Sequence, residues 1–171
     1  MATVHTERKG TIGVHLSLDP AMLAKHLAAL GSICVTKETV GSLSGLVSNV
    51  ELGFYHYPYS LLEPIESFRG FSVASWKDIL CMKMTAVGSR AAKRDYVDIY
   101  FGLKAGLSLR QLLDLVKRKF GAVEYSEYHL VRSLIYFDEV EDEPMPEMLQ
   151  SIEWPQVRSF LHAEVRRLSN A

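Results

Sequence analysis

A chain of 171 residues is the size of one ordinary domain, or of one domain with a small helical appendage. Apolar residues make up 48% and charged residues 23%, which excludes wholesale disorder, and no apolar run exceeds four residues, far short of the roughly 20 a membrane span needs. The formal charge is -1, from 19 basic and 20 acidic side chains, so a global basic field for nucleic acid is excluded.

The first elements are strand-like. Residues 1–12 are polar and without period, and read as a loosely held lead-in. Asp19 followed by Pro20 opens a helix carrying Met22, Leu23, Leu27 and Leu30, which Gly31 stops. Residues 33–38 read as a strand. Residues 42–57 read as a hairpin, with arms 42–47 and 50–57 about a turn at Ser48 and Asn49. Val50, Leu52 and Phe54 share one face of the second arm, and Pro58 ends it. After a loop with Pro64 comes a short apolar stretch, 71–74.

From Ser75 the chain turns helical. Ser75 with Asp78 resembles a capping box, opening a helix to about Arg90. The next helix covers 93–104 before Gly106. Ser108 with Gln111 forms a second capping box, opening a helix to Phe120. A fourth helix is expected over 127–137, then a solvated acidic loop over 138–147, then a last helix from Trp154 and Pro155 to about Leu168. The layout predicts an α+β fold: a partial sheet region over 13–74, followed by a helical region over 75–171 packed on it.

Cys34 and Cys81 lie far apart in apolar surroundings, so a disulfide scaffold and a Cys-x-x-Cys metal site are excluded. Both are expected to be buried thiols in a reducing compartment. The first ten residues lack the apolar core of a signal peptide, and the expected location is cytoplasmic.

The candidate chemistry lies in residues 75–103. The helix over this stretch is apolar on most sides, yet Lys83 stands in its middle. A lysine there must snorkel to solvent, pair with an acid, or face a cavity. Arg90, seven residues on, lies nearly above it on the same helical face, since seven steps make almost two turns. The following helix begins with Lys93 and Arg94 and carries Asp95 and Asp98 on one face. The cations suit phosphate oxygens, and the acids suit orienting those cations, binding a metal or accepting a proton. Spacing alone equally suits a packing role, in which Lys83 pairs with Asp95 or Asp98 to fix two helices together.

Lys83, Ala86, Arg90, Ala91, Lys93, Arg94, Asp95, Tyr96, Val97, Asp98 and Ile99 together resemble the signature of the AbiEii/AbiGii nucleotidyltransferase toxins of abortive infection. Further co-linear segments resemble the same family: Tyr57 to Pro64, Val73 to Asp78, and Tyr136 to Asp138 with Pro144, Met145, Pro146 and Trp154. The resemblance implies a polymerase-β-like nucleotidyltransferase that uses Mg²⁺ to move a nucleoside monophosphate from a nucleoside triphosphate to an acceptor, tRNA in some members. It implies phosphate-binding roles for Lys83, Arg90 and Lys93, and catalytic roles for Asp95 and Asp98.

The family's metal-binding element, a Gly-Ser turn followed by Asp-x-Asp, does not occur here, and Ala91 replaces the usual glycine. The expected function is therefore that of a shortened relative with impaired or no catalysis. The alternative is a non-catalytic interaction module that binds an antitoxin-like protein or a second copy of this chain.

Other features point to structure. The six histidines show no metal-ligand spacing. Tyr55, Tyr57 and Tyr59 read as strand packing, Glu51 as an exposed strand residue, and Arg158, Arg166 and Arg167 as a solvated helix face.

Overall fold

The computed structural model describes residues 11–15, 20–29, 31, 33–48, 50–121, 125–148 and 150–170. Residues 1–10, the Asp19 cap, Leu30 and Asn49 lie outside the described residues. The fold is α+β. It divides into two compact units: the described residues up to Tyr59 with Pro64–Ala74, and Ser60–Glu63 with the chain from Ser75 onward.

The first unit holds β1 (Thr11–His15), α1 (Pro20–Ala28), β2 (Ile33–Thr39), β3 (Ser42–Val47), β4 (Val50–Tyr55), β5 (Glu66–Phe68) and β6 (Phe71–Val73). The first four strands form a mixed sheet in the order β1-β4-β3-β2. β1 runs parallel to β4, pairing Thr11 with Glu51 and His15 with Tyr55, while the other pairs are antiparallel. The expected lead-in through residue 12 is corrected here, because the strand begins at Thr11. Its partner lies forty residues on, so nothing local announces it. α1 lays Leu23 and Leu27 on Leu43 and Phe54, which form the small core of this unit. Alternation on β4 is only partly obeyed: Phe54 is buried and Leu52 half-buried, but Val50 is exposed. β5 and β6 form a separate hairpin whose turn places Arg69 and Gly70 at φ 48 and φ 83.

The second unit holds α2 (Trp76–Ser89), α3 (Lys93–Lys104), α4 (Leu109–Lys119), α5 (Glu127–Ser133), a 3-10 turn (Asp138–Val140) and α6 (Trp154–Ser169). The Ser75 side chain caps α2, accepting from the Asp78 amide. Asp78, however, does not return the bond to the cap backbone as a capping box would. Its buried carboxylate accepts from the Ser75 hydroxyl at 2.9 Å, from the Leu62 amide at 3.0 Å and from the Lys119 ammonium. Lys119 also donates to the Ser60 carbonyl at 3.0 Å, so this pair ties segment 60–63 to α2 and α4. The second capping box, Ser108 with Gln111, forms in full.

α5 ends at Ser133, short of the expected Phe137. The Tyr96 hydroxyl lies against the carbonyls of Ser133 and Tyr136 at 3.1 and 2.6 Å, giving them a partner that a continued helix would otherwise have supplied. The rings of Tyr96, Phe137 and Trp154 meet at 5.3 to 5.9 Å, a shared aromatic core for α3, α6 and the segment between α5 and the 3-10 turn.

The acidic stretch is also corrected, since it is not simply solvated. Glu141 accepts from the Trp154 indole and pairs with Arg158, and these contacts hold its carboxyl below the usual range. Arg158 and Arg167, expected on a solvated face, stay solvent-accessible while pairing with Glu141 and Glu164. Cys81 is buried as expected, but Cys34 is exposed. It stands on β2, which among the described residues has a neighbouring strand on one side only. Among the described residues, no helix is long and apolar enough to cross a membrane.

Candidate functional site

α2 buries Leu80, Met84 and Val87 at helical spacing, with Cys81 beside them. Lys83 is therefore carried at the edge of an apolar stripe and not away from it. Its ammonium lies 2.9 Å from Asp95 Oδ1 and 2.6 Å from Asp98 Oδ2 on α3. The cluster grades from deep to shallow: the side chain of Asp95 is 2% exposed, that of Lys83 21% and that of Asp98 29%. Asp95 Oδ2 is buried and has no hydrogen-bond partner among the described residues. α2 and α3 approach closely because Gly102 presents no side chain where Leu80 packs.

Three of the five residues singled out from sequence thus meet at one point. Arg90 closes α2 as its C-cap at φ -149 and ψ 87, with its amide still donating to the Ala86 carbonyl at 2.8 Å; it is exposed and without an ion pair among the described residues. Lys93 has different partners altogether. It is 4% exposed, its ammonium donates to the carbonyls of Glu141 (2.8 Å) and Glu143, and it lies 5.0 Å from the centre of the Trp154 ring. Its amide donates to Glu143 Oε2 at 2.7 Å. In this structure Lys93 anchors the acidic segment at the start of α3.

Arg94, named from sequence at the start of α3 but given no role of its own, is exposed in the first turn and without an ion pair among the described residues. One feature was missed from sequence, the buried Lys119–Asp78 pair, both side chains at 0% exposure. A signal for it existed: Lys119 continues the apolar stripe Leu109, Leu112, Leu113 and Val116 of α4, where a cation needs a partner.

The donor set fits Mg²⁺ poorly. One oxygen of each carboxylate is already on the Lys83 ammonium, so an ion bridging Asp95 and Asp98 would sit against a positive charge. Among the described residues no group of three metal-ligating side chains occurs, and Glu51 is an exposed residue on β4. The two carboxylates are suited to orienting one ammonium.

No family model matches the sequence. Over 153 residues the chain is 30% identical to the uncharacterized protein aq_aa25 of Aquifex aeolicus, covering 86% of this chain and 71% of that protein. Among solved structures it is similar to JHP933 from Helicobacter pylori, with a TM-score of 0.56 and 14% identity, over 95% of this chain and 76% of that one. At that identity the likeness is one of fold. The identity and coverage shared with the Aquifex protein are enough to say that this chain belongs to the family of aq_aa25.

Proposed function

We propose that the chain is a nucleotidyltransferase-like protein of the abortive-infection toxin type, which holds a nucleoside triphosphate beside the Lys83–Asp95–Asp98 cluster and has impaired or no catalysis. The observation that carries this reading is the convergence of Lys83 with both acids at a partly exposed point. An ammonium has three N–H groups. Two go to Asp95 and Asp98, which leaves one for a phosphate oxygen. The acids then act as positioning residues that hold the ammonium at a fixed place, and Arg90 adds an exposed guanidinium at the end of the same helix. The metal half of a transferase site has no counterpart in the sequence, so binding without turnover is the expected behaviour. A cytoplasmic location is part of the same proposal.

The test is thermal unfolding of the full chain with millimolar ribonucleoside triphosphates, with and without Mg²⁺. A ligand at a hundred times its Kd adds about 2.7 kcal/mol of stability. Arg90→Ala, an exposed change that spares the fold, is expected to reduce the shift. Absence of any shift in the wild type overturns the reading.

A second reading, self-association, is favoured by one observation. Among the described residues β2 is bonded on one side only, and Val35 on it is 42% exposed. Light scattering that finds only monomer at high concentration would remove it.

A further inference from the structure

The Lys83 cluster attracts no polyanion unaided, because one ammonium faces two carboxylates and the excess charge is negative. A triphosphate needs more cations nearby than Lys83 supplies, and Lys93 is spent on the carbonyls of Glu141 and Glu143. Arg94 meets the need. It precedes Asp98 by four residues on α3, so the two are neighbours on the helix surface. Asp98 is the most exposed member of the cluster, so Arg94 stands beside its open end. Its side chain is exposed and makes no ion pair among the described residues. It also sits in the first turn of α3, where the helix dipole disfavours a cation, and the cap residue Ala92 makes no side-chain bond to offset this. The one helix-stabilising use open to Arg94, an i,i+4 pair with Asp98, is not made among the described residues, where Asp98 pairs with Lys83.

We propose that Arg94 is an anion-contacting residue of this site, and that with Arg90 it turns the local charge positive and grips phosphate oxygens through its paired N–H groups. The assignment rests on the nucleotide reading above and names the residue that reading needs.

The experiment is titration calorimetry of the full chain with inorganic tripolyphosphate and with each of the four ribonucleoside triphosphates. Arg94→Ala is compared with wild type and with Arg118→Ala, an exposed cation at the end of α4. Circular dichroism and the unliganded melting temperature check that each variant folds. Arg94→Ala is expected to weaken binding by about tenfold or more, the loss of one charge-assisted contact. Arg118→Ala is expected to stay within about twofold, because Arg118 is an exposed residue of α4 and not of either helix that carries the cluster. If the wild type binds and Arg94→Ala binds equally well, the assignment of Arg94 is overturned while the nucleotide reading stands. Equal losses in Arg94→Ala and Arg118→Ala overturn it as well, because the effect is then one of total charge. If the wild type binds none of these ligands, the nucleotide reading fails and the assignment falls with it.

Discussion

Lys83 reaches one oxygen of Asp95 at 2.9 Å, while the other oxygen of the same carboxylate is buried without a partner among the described residues. Among the described residues the Asp95 carboxylate is therefore paired with a single ammonium, which it shares with Asp98. Removing that ammonium strands a buried carboxylate. Lys83→Met is expected to cost about 3–5 kcal/mol in urea unfolding, the usual range for breaking a buried pair from one side. Lys83→Met combined with Asp95→Asn is expected to recover much of the loss. A single variant as stable as wild type would mean that Asp95 is satisfied some other way.

The pair formed by Asp78 and Lys119 makes a separate demand on pH. Burial pushes the Asp78 carboxyl up, but hydrogen bonds from Lys119, the Leu62 amide and Ser75 outweigh it and hold the group below the usual carboxylate range. A carboxyl depressed on folding stabilises the folded state above its unfolded pKa of about 3.9, and that contribution fades as pH falls through the folded value. Wild-type stability is therefore expected to drop along an acid limb below roughly that pH. Asp78→Asn should be less stable at neutral pH and show a shallower acid limb. Denaturant midpoints measured from pH 2 to pH 7 would test this, and an unchanged slope in Asp78→Asn would refute it.

The helical half was legible because its punctuation is local. Ser75, Ser108 and Gly106 mark helix ends that coincide with observed ones. Where sequence reading failed, a distant partner decided. β1 exists through β4, α5 stops where the Tyr96 hydroxyl meets its last carbonyls, and Asp78 leaves its cap for Lys119, 41 residues away. The cluster was legible because a lone cation in an apolar helix demands a partner, and both candidate acids are used. Lys93 and Arg94 were not separable by spacing. Which of two adjacent cations is buried depends on where the acidic segment and Trp154 fold back.

Gly102 sets the approach of α2 and α3, and two opposing terms decide its replacement. Alanine in a helix interior is favoured over glycine by about 1 kcal/mol. The added Cβ would lie 2.1 Å from Leu80 Cδ1 and 2.6 Å from Leu80 Cδ2, on a leucine that is 4% exposed. Overpacking of this kind costs about 1–3 kcal/mol, so Gly102→Ala is expected to be destabilising on balance. In a Leu80→Ala background the clash is gone and the same change should stabilise. That reversal of sign, read from two pairs of urea curves, separates close packing from a general intolerance at this position.

The two thiols differ in a way that chemical labelling reads directly. Cys81 is 0% exposed, and burial pushes its thiol up to about 12, so the reactive thiolate is scarce at neutral pH. Cys34 is exposed on β2, at the end of the sheet. One thiol per chain is expected to react rapidly with a disulfide reagent in native buffer, and both in denaturant. Cys34→Ser should abolish the native reaction, and Cys81→Ser should leave it intact. Slow reaction of Cys81 in the native protein would then report its opening rate, since α2 must part from its neighbours before the sulfur is reached. Prompt labelling of Cys81 in the Cys34→Ser variant would contradict the packing described for α2.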